Sequence, residues 1–234
     1  MNYWFTADTH FGHANIIKYC NRPFKDTVEM NETIISNWNK VVGDDDLVYH
    51  LGDFCFARHD YEVDSYLKRL NGLIVFIKGN HDKLTWKLKN KFYAAYDSYH
   101  DIELNEQKIT LCHYKMAIWN RSHRGAWHLY GHSHGSVTNS PHDLSFDCGV
   151  DCHNFTPINF EQVKQIMSKK LWKPIDHHGD IQESGGIGLS KVDYEKLDRK
   201  RQYEQLKQEF DAQYKEREVH NQCMISAFGE HGQG

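Results

Sequence analysis

The stretch Leu73-Ile74-Val75-Phe76-Ile77-Lys78-Gly79-Asn80-His81-Asp82 constrains the fold most. An apolar, largely β-branched run stops at a glycine, and the chain then presents an amide, an imidazole and a carboxylate. Such a run predicts a strand buried on both faces, and an open α/β sheet puts its chemistry at the carboxyl ends of such strands. Other runs end the same way. Tyr3-Trp4-Phe5-Thr6-Ala7 leads into Asp8-Thr9-His10, and Leu47-Val48-Tyr49-His50-Leu51 into Gly52-Asp53. Ile109-Thr110-Leu111-Cys112 leads into His113, and His128-Leu129-Tyr130 into Gly131-His132-Ser133-His134. The sequence therefore predicts strand ends that converge on one site.

Between these runs the pattern turns helical. Residues 14–20 read as a short helix broken by Asn21-Arg22-Pro23. Over 27–41, Met30, Ile34, Ile35, Trp38 and Val41 share one face, with Thr27 as the expected N-cap and Gly43 as the stop. Asp44-Asp45-Asp46 reads as a solvated turn. A helix over 61–70 is expected to turn Tyr66, Leu67 and Leu70 inward. Strand, helix and strand in alternation imply parallel βαβ units with right-handed crossovers. Further on, 99–104 and 108–112 read as a hairpin, 127–130 and 144–148 as strands, and 159–169 as a helix.

Length and composition set outer bounds. A chain of 234 residues with 26% charged and 39% apolar residues suits a globular protein with a sizeable core. No apolar run approaches the roughly 18 residues of a membrane span. The amino-terminal residues are patterned as a strand rather than a signal peptide. A net charge of −4 argues against a broad grip on duplex nucleic acid. Cys20, Cys55, Cys112, Cys148, Cys152 and Cys223 are irregularly spaced, which predicts reduced thiols and a cytoplasmic protein.

The domain is expected over residues 1–174. A Gly-rich and His-rich linker over 175–190 follows, then a charged helix over 191–220 and a loose tail over 221–234. The helix carries a seam of Tyr203, Leu206, Phe210 and Tyr214 that suits docking on its own domain or a homodimer contact.

Asp8, His10, Asp53, Asn80, His113, His132 and His134 form a set of oxygen and imidazole donors without thiolate. Such a set suits divalent Mn, Fe, Co, Ni or Zn better than a structural zinc site. It is too large for one ion with open positions and suits two ions that share a carboxylate. Each motif alone is common; their order along the chain, each behind an apolar run, carries the weight.

Asp8-Thr9-His10, Gly52-Asp53, Gly79-Asn80-His81-Asp82, His113 and Gly131-His132-Ser133-His134 resemble, in order and spacing, the motifs of the calcineurin-like metallophosphoesterases. The resemblance spans roughly residues 1–170. It implies a four-layer α/β/β/α sandwich of two mixed sheets, to which the C-terminal helix is an extension. It also implies that Asp8, His10, Asp53 and His134 hold one metal, and that Asp53 bridges to a second held by Asn80, His113 and His132. Some phosphatases of this family carry Asp-Arg-Gly soon after Gly-Asp. Here Gly52-Asp53-Phe54-Cys55-Phe56-Ala57-Arg58 stands instead, as in simpler bacterial and phage phosphoesterases.

The expected activity is two-metal hydrolysis of phosphate esters, with manganese the first choice of metal. A phosphodiester on a small nucleotide or nucleic-acid end, such as a 2′,3′-cyclic phosphate, is the expected substrate. A phosphomonoesterase, a nucleotide pyrophosphohydrolase and an inactive binding scaffold are the alternatives. His81 is the expected catalytic acid on the leaving oxygen, with Asp82 a candidate to orient it. His13, Arg22, Arg58 and Arg121 are the expected substrate-binding residues. Trp119 and Phe11 are expected in packing before base stacking.

Overall fold

The computed structural model describes residues 1–137 and 140–174. Strands β1 (Tyr3–Thr6), β2 (Leu47–His50) and β3 (Leu73–Ile77) run parallel and in step, Tyr3 beside Leu47 and Leu47 beside Leu73. β4 (Ala94–Tyr96) joins β3 in parallel, and β9 (Ile158–Asn159) joins β1 in antiparallel, giving the order β4-β3-β2-β1-β9. A second mixed sheet has the order β5-β6-β7-β8, from Tyr99–Leu104, Gln107–Cys112, Trp127–Tyr130 and Ser145–Asp147. Only its β5–β6 pair is antiparallel. The Asn105-Glu106 turn between them is left-handed at both residues, as a two-residue hairpin requires.

Alternation along the strands sorts the first sheet's side chains into two cores. Phe5, Tyr49, Leu51, Val75 and Ile77 face the second sheet's Ile109, Leu111, Trp127, Leu129 and Phe146. Trp4, Val48, Ile74 and Phe76 face the helical layer, where α2 (Thr27–Val41) contributes Met30, Ile34, Ile35 and Trp38. In that layer, α1 (Ala14–Tyr19) adds Ile16 and α3 (Asp60–Leu67) adds the fully buried Val63. A short α4 (Lys83–Lys87) follows β3. Helix α5 (Phe160–Met167) seats Phe160, Val163 and Met167 in the inter-sheet core. Over the outward His128 and Tyr130 of β7 lies the loop after β6: Met116 N–H donates to His128 Nε2, and Lys115 sits above the Tyr130 ring.

Two local expectations are corrected and a third is extended. The N-cap of α2 is Asp26, not Thr27; its carboxylate accepts the Glu29 N–H at 2.9 Å. Leu70 is buried and Tyr66 and Leu67 pack against the same core, as expected, and the fully buried Val63 joins them. Asp46 is not solvated: it accepts hydrogen bonds from Asn2 N–H, Trp4 Nε1 and Gly43 N–H, pinning the start of β1 to the start of β2. The expected linker, charged helix and tail lie outside the described residues, as does any dimer contact through them. No described helix is long and apolar enough to cross a membrane.

Candidate metal centre

Parallel strands in step deliver their carboxyl ends to one rim. A bridge from Ala7 to Gly149 joins the two sheets there, and the Val150 N–H donates to the Ala7 carbonyl at 3.0 Å. Just past the strands the chain bends sharply. Asp8, His10, Asp53, His132 and His134 all have positive φ, between 47° and 67°. For residues with a Cβ this conformation is costly, on the order of 1–3 kcal/mol each, and clusters at functional sites. Glycine at two of the turns admits a neighbour. A Cβ on Gly79 would lie 2.3 Å from Asp53 Oδ1, and one on Gly131 would lie 2.6 Å from Asp8 Oδ2.

The bends gather donors from both sheets. Ligand atoms of Asp8, His10 and His134 lie within 4.8 Å of one another, as do those of Asp53, His113 and His132. Asp53 Oδ2 stands between the two groups, 3.6 Å from His10 Nε2 and 3.5 Å from His113 Nε2. Asn80 Oδ1 lies 2.9 Å from His113 Nε2. All seven residues expected as ligands are therefore brought together.

This cluster fits divalent cations on its own physical terms. Asp8 Oδ1 and both His10 ring nitrogens are buried and have no hydrogen-bond partner among the described residues. Buried polar atoms without partners are rare and need an explanation. Burial pushes the Asp8 carboxyl up to about 7, against the pull of His134 and His113. Burial likewise pushes the His10 imidazole down to about 2, so it is a neutral donor. Burial would also raise Asp53, but hydrogen bonding and charge from His113, the His81 N–H and His10 hold its carboxyl well below the usual range. A cation against these atoms would satisfy the orphaned donors and favour the charged carboxylates.

Further residues hold the donors in place. His113 Nδ1 lies 2.8 Å from the Leu51 carbonyl, which leaves Nε2 directed at Asp53 and Asn80. His134 Nδ1 lies 2.7 Å from Asp151 Oδ2, which leaves its other nitrogen for the site. Asp151 in turn accepts two bonds from Arg22, from Nε and Nη2 at 2.8 Å each. Arg22 also donates to the carbonyls of Asp8 and Thr9. Asp147 accepts from Ser133 Oγ and Gly135 N–H, fixing the Gly-His-Ser-His loop.

Several expectations about neighbouring residues change. Arg22 is buried and fully engaged, so it clamps the site rather than meeting substrate. Asp82 does not orient His81: its carboxylate accepts the N–H groups of Asp53, Phe54 and Gly79, at 2.6, 2.9 and 2.8 Å. Burial and the nearby Asp53 charge push it up to about 6 despite those bonds. Arg121 lines a separate hollow with Asp101 and Lys108. Arg58 is exposed, and its N–H donates to Glu62. Phe11 and Trp119, by contrast, are buried in packing as expected.

His81 and His13 do face the site. They line a cleft of about 340 Å³ together with His10, Asp53, His132 and His134. The His81 ring stands 5.6 Å from the His10 ring, and the His81 N–H donates to Asp53 Oδ1 at 2.9 Å. Asp151 was not expected from the sequence. Its signal was present in Leu144-Ser145-Phe146-Asp147-Cys148-Gly149-Val150-Asp151, an alternating apolar and polar strand followed by glycine and an acid, but without a histidine.

Comparison with known proteins agrees with this geometry. The profile described as the calcineurin-like phosphoesterase superfamily domain matches residues 1–146. An uncharacterized protein of Methanocaldococcus jannaschii is 38% identical over 169 residues, covering 70% of this chain and 89% of its own length. The gene 66 protein of Mycobacterium phage L5 is 34% identical over 83 residues, covering 35% of this chain and 40% of its own. Among solved structures, a protein of unknown function from Aquifex aeolicus superposes with a TM-score of 0.56 at 28% identity, covering 70% of this chain and 98% of that one. The chain belongs to the calcineurin-like phosphoesterase superfamily, whose domain supports metal-dependent hydrolysis of phosphate esters.

Proposed function

We propose that this chain is a two-metal phosphodiesterase that acts on a small nucleotide or a nucleic-acid end and works with manganese. The observation that carries the reading is the position of Asp53 Oδ2, nearly equidistant from His10 Nε2 and His113 Nε2. A carboxylate oxygen so placed suits a bridge between two cations, one served by Asp8, His10 and His134 and the other by Asn80, His113 and His132. Bound there, the cations would neutralise phosphoryl oxygens and lower the pKa of a water toward about 7.

The protein's own residues would do the rest. Water, giving up one proton to solvent, adds to phosphorus in line, the bond from phosphorus to the leaving oxygen breaks, and that oxygen needs a proton. His81, exposed at the cleft and tied to Asp53 through its backbone, is placed to supply it and to be reprotonated from solvent. His13, whose ring lies 5.3 Å from that of His10, is placed to meet a phosphoryl oxygen. Lys and Arg are absent among the described cleft-lining residues, which favours a singly charged diester over a monoester or a polyphosphate. The five described cysteines are free thiols, in keeping with a reducing, cytoplasmic setting.

The test is a substrate screen on metal-stripped protein reloaded with Mn, Ni, Zn or Mg. Aryl diesters, aryl monoesters, pyrophosphate-linked nucleotides and 2′,3′-cyclic nucleotides are compared. Manganese-dependent turnover with diesters preferred is expected. Preference for monoesters or pyrophosphates would move the assignment to those activities. Inactivity with every metal and ester would favour a binding scaffold.

A further inference from the structure

The cleft beside the candidate metal centre has a wall that the chemistry above does not use. Tyr19, the last residue of α1, is 71% exposed, and Phe56, in the loop after β2, is 49% exposed; both line the cleft. Large apolar side chains left in water beside a reaction centre call for an account. Their placement is fixed from behind. The Phe56 N–H donates to the Phe11 carbonyl at 2.8 Å, and α1 is anchored by its buried Ile16. The Phe56 ring stacks on His13 at 4.3 Å with 14° between planes, and the Tyr19 ring meets His13 edge-on at 6.3 Å. Phe56 also stands 5.9 Å from the ring of His81. A continuous aromatic path therefore runs from His10, at the metal centre, through His13 and His81 to Phe56 and Tyr19.

We propose that Phe56 and Tyr19 form a subsite for a planar aromatic ring on the leaving arm of the ester. This rests on the phosphoesterase reading above and sharpens its substrate class. The location next to His81, the proposed donor to the leaving oxygen, puts the ring on the departing side. The chemistry of the wall selects against rivals. With only Asn15 as an added neutral polar group and neither Lys nor Arg among the described lining residues, the wall gives a second phosphate nothing to bind. A cleft of about 340 Å³ suits one ring system beside a phosphoryl group rather than a polymer. Aromatic stacking is indifferent to which ring is offered, so an aryl group and a nucleobase share the chemistry.

The experiment reads binding apart from turnover. Calorimetry on the manganese-loaded full chain compares methylphosphonate, phenylphosphonate and an adenosine phosphonate. Both ring-bearing ligands are expected to bind roughly tenfold tighter than methylphosphonate. A larger gain for the adenosine ligand identifies a nucleobase as the natural ring, and a larger gain for phenyl an aryl group. In Phe56→Ala and Tyr19→Ala the ratio of ring-bearing to methyl affinity is expected to fall to about two or less. In Tyr61→Ala, which alters an exposed aromatic outside this cleft, the ratio stays. Equal binding of all three ligands to the unaltered protein, or a ring advantage that survives both variants, overturns the subsite while leaving the phosphoesterase reading intact. No binding of any phosphonate overturns that reading, and the subsite with it.

Discussion

Replacing Arg22 with methionine removes the clamp behind His134. The Arg22 side chain is 0% exposed and its Asp151 partner 9%, so solvent cannot take over the lost bonds. The variant leaves the Asp151 carboxylate with His134 as its remaining partner and strands two backbone carbonyls, those of Asp8 and Thr9. Breaking a buried pair by removing one partner costs about 3–5 kcal/mol. For a chain of this size that corresponds to a fall in melting temperature of roughly 6–20 °C. The second effect concerns metal. Asp151 holds His134 through Nδ1, and loss of such an outer partner weakens metal binding by about 10–100-fold. Asp151→Asn tests this arm, since it preserves shape while removing the charge. Urea unfolding of the stripped protein reads the stability term, and manganese titration reads the affinity term. The pair Arg22→Met with Asp151→Leu should recover part of the lost stability, because it leaves no charge unpaired. A loss below about 1 kcal/mol for Arg22→Met, with unchanged manganese affinity in Asp151→Asn, would show that the clamp does not orient His134.

Other residues give shorter tests. His81→Ala is expected to retain manganese and lose turnover by about 10²–10⁴-fold; loss of manganese in that variant would move His81 into the ligand set. Gly79→Ala drives a methyl group into Asp53 Oδ1 and the Asp53 N–H, at 2.3 and 2.5 Å, so both metal affinity and activity should drop, as titration and assay would record. A variant with wild-type affinity would mean the loop yields freely. At Asp46, burial opposes ionisation, yet hydrogen bonds from Asn2, Gly43 and Trp4 hold its carboxyl down to about 2. A carboxyl depressed in the folded state stabilises above its unfolded pKa of about 3.9 and loses that contribution as pH falls toward about 2. Asp46 is 6% exposed but sits at the amino end of the central strand β2, against the exposed Asn2 and Gly43, so the screened contribution is about 1–2 kcal/mol. Unfolding of Asp46→Asn between pH 2 and 6 should show a shallower acid slope than the unaltered protein, and an identical slope would refute the assignment.

What could be read from the sequence was what lies close together along it. Each strand sits next to the motif it delivers, so Tyr3–Thr6 announces Asp8 and His10, and Leu73–Ile77 announces Asn80 and His81. Helix α2 was legible because its apolar period repeats over Thr27–Val41, although one carboxylate outside that period took the cap. Several of the misses depend on partners distant in sequence. Arg22 resembles a surface phosphate binder until Asp151, 129 residues away, is brought against it. Asp46 resembles a solvated turn until Asn2 and Trp4, 44 and 42 residues away, close over it. Asp82 has a histidine beside it in sequence but spends its oxygens on the backbone of Asp53 and Phe54. Strands β4 and β9 are three and two residues long, too short to carry a period of their own.

The candidate ligands are shared between the sheets: Asp8, His10, Asp53 and Asn80 hang from one, and His113, His132 and His134 from the other. Neither sheet owns a complete set, because each cluster of ligand atoms straddles the seam. Cations seated there would rivet two plates whose alignment is otherwise kept by oily contacts in the interior and a few hydrogen bonds at the rim. A slide of a fraction of an ångström between Phe5 or Leu51 and Leu129 would open the rivet holes. Metal affinity in this protein is therefore a gauge of how well its interior is assembled, and distant packing changes should be felt at the rim.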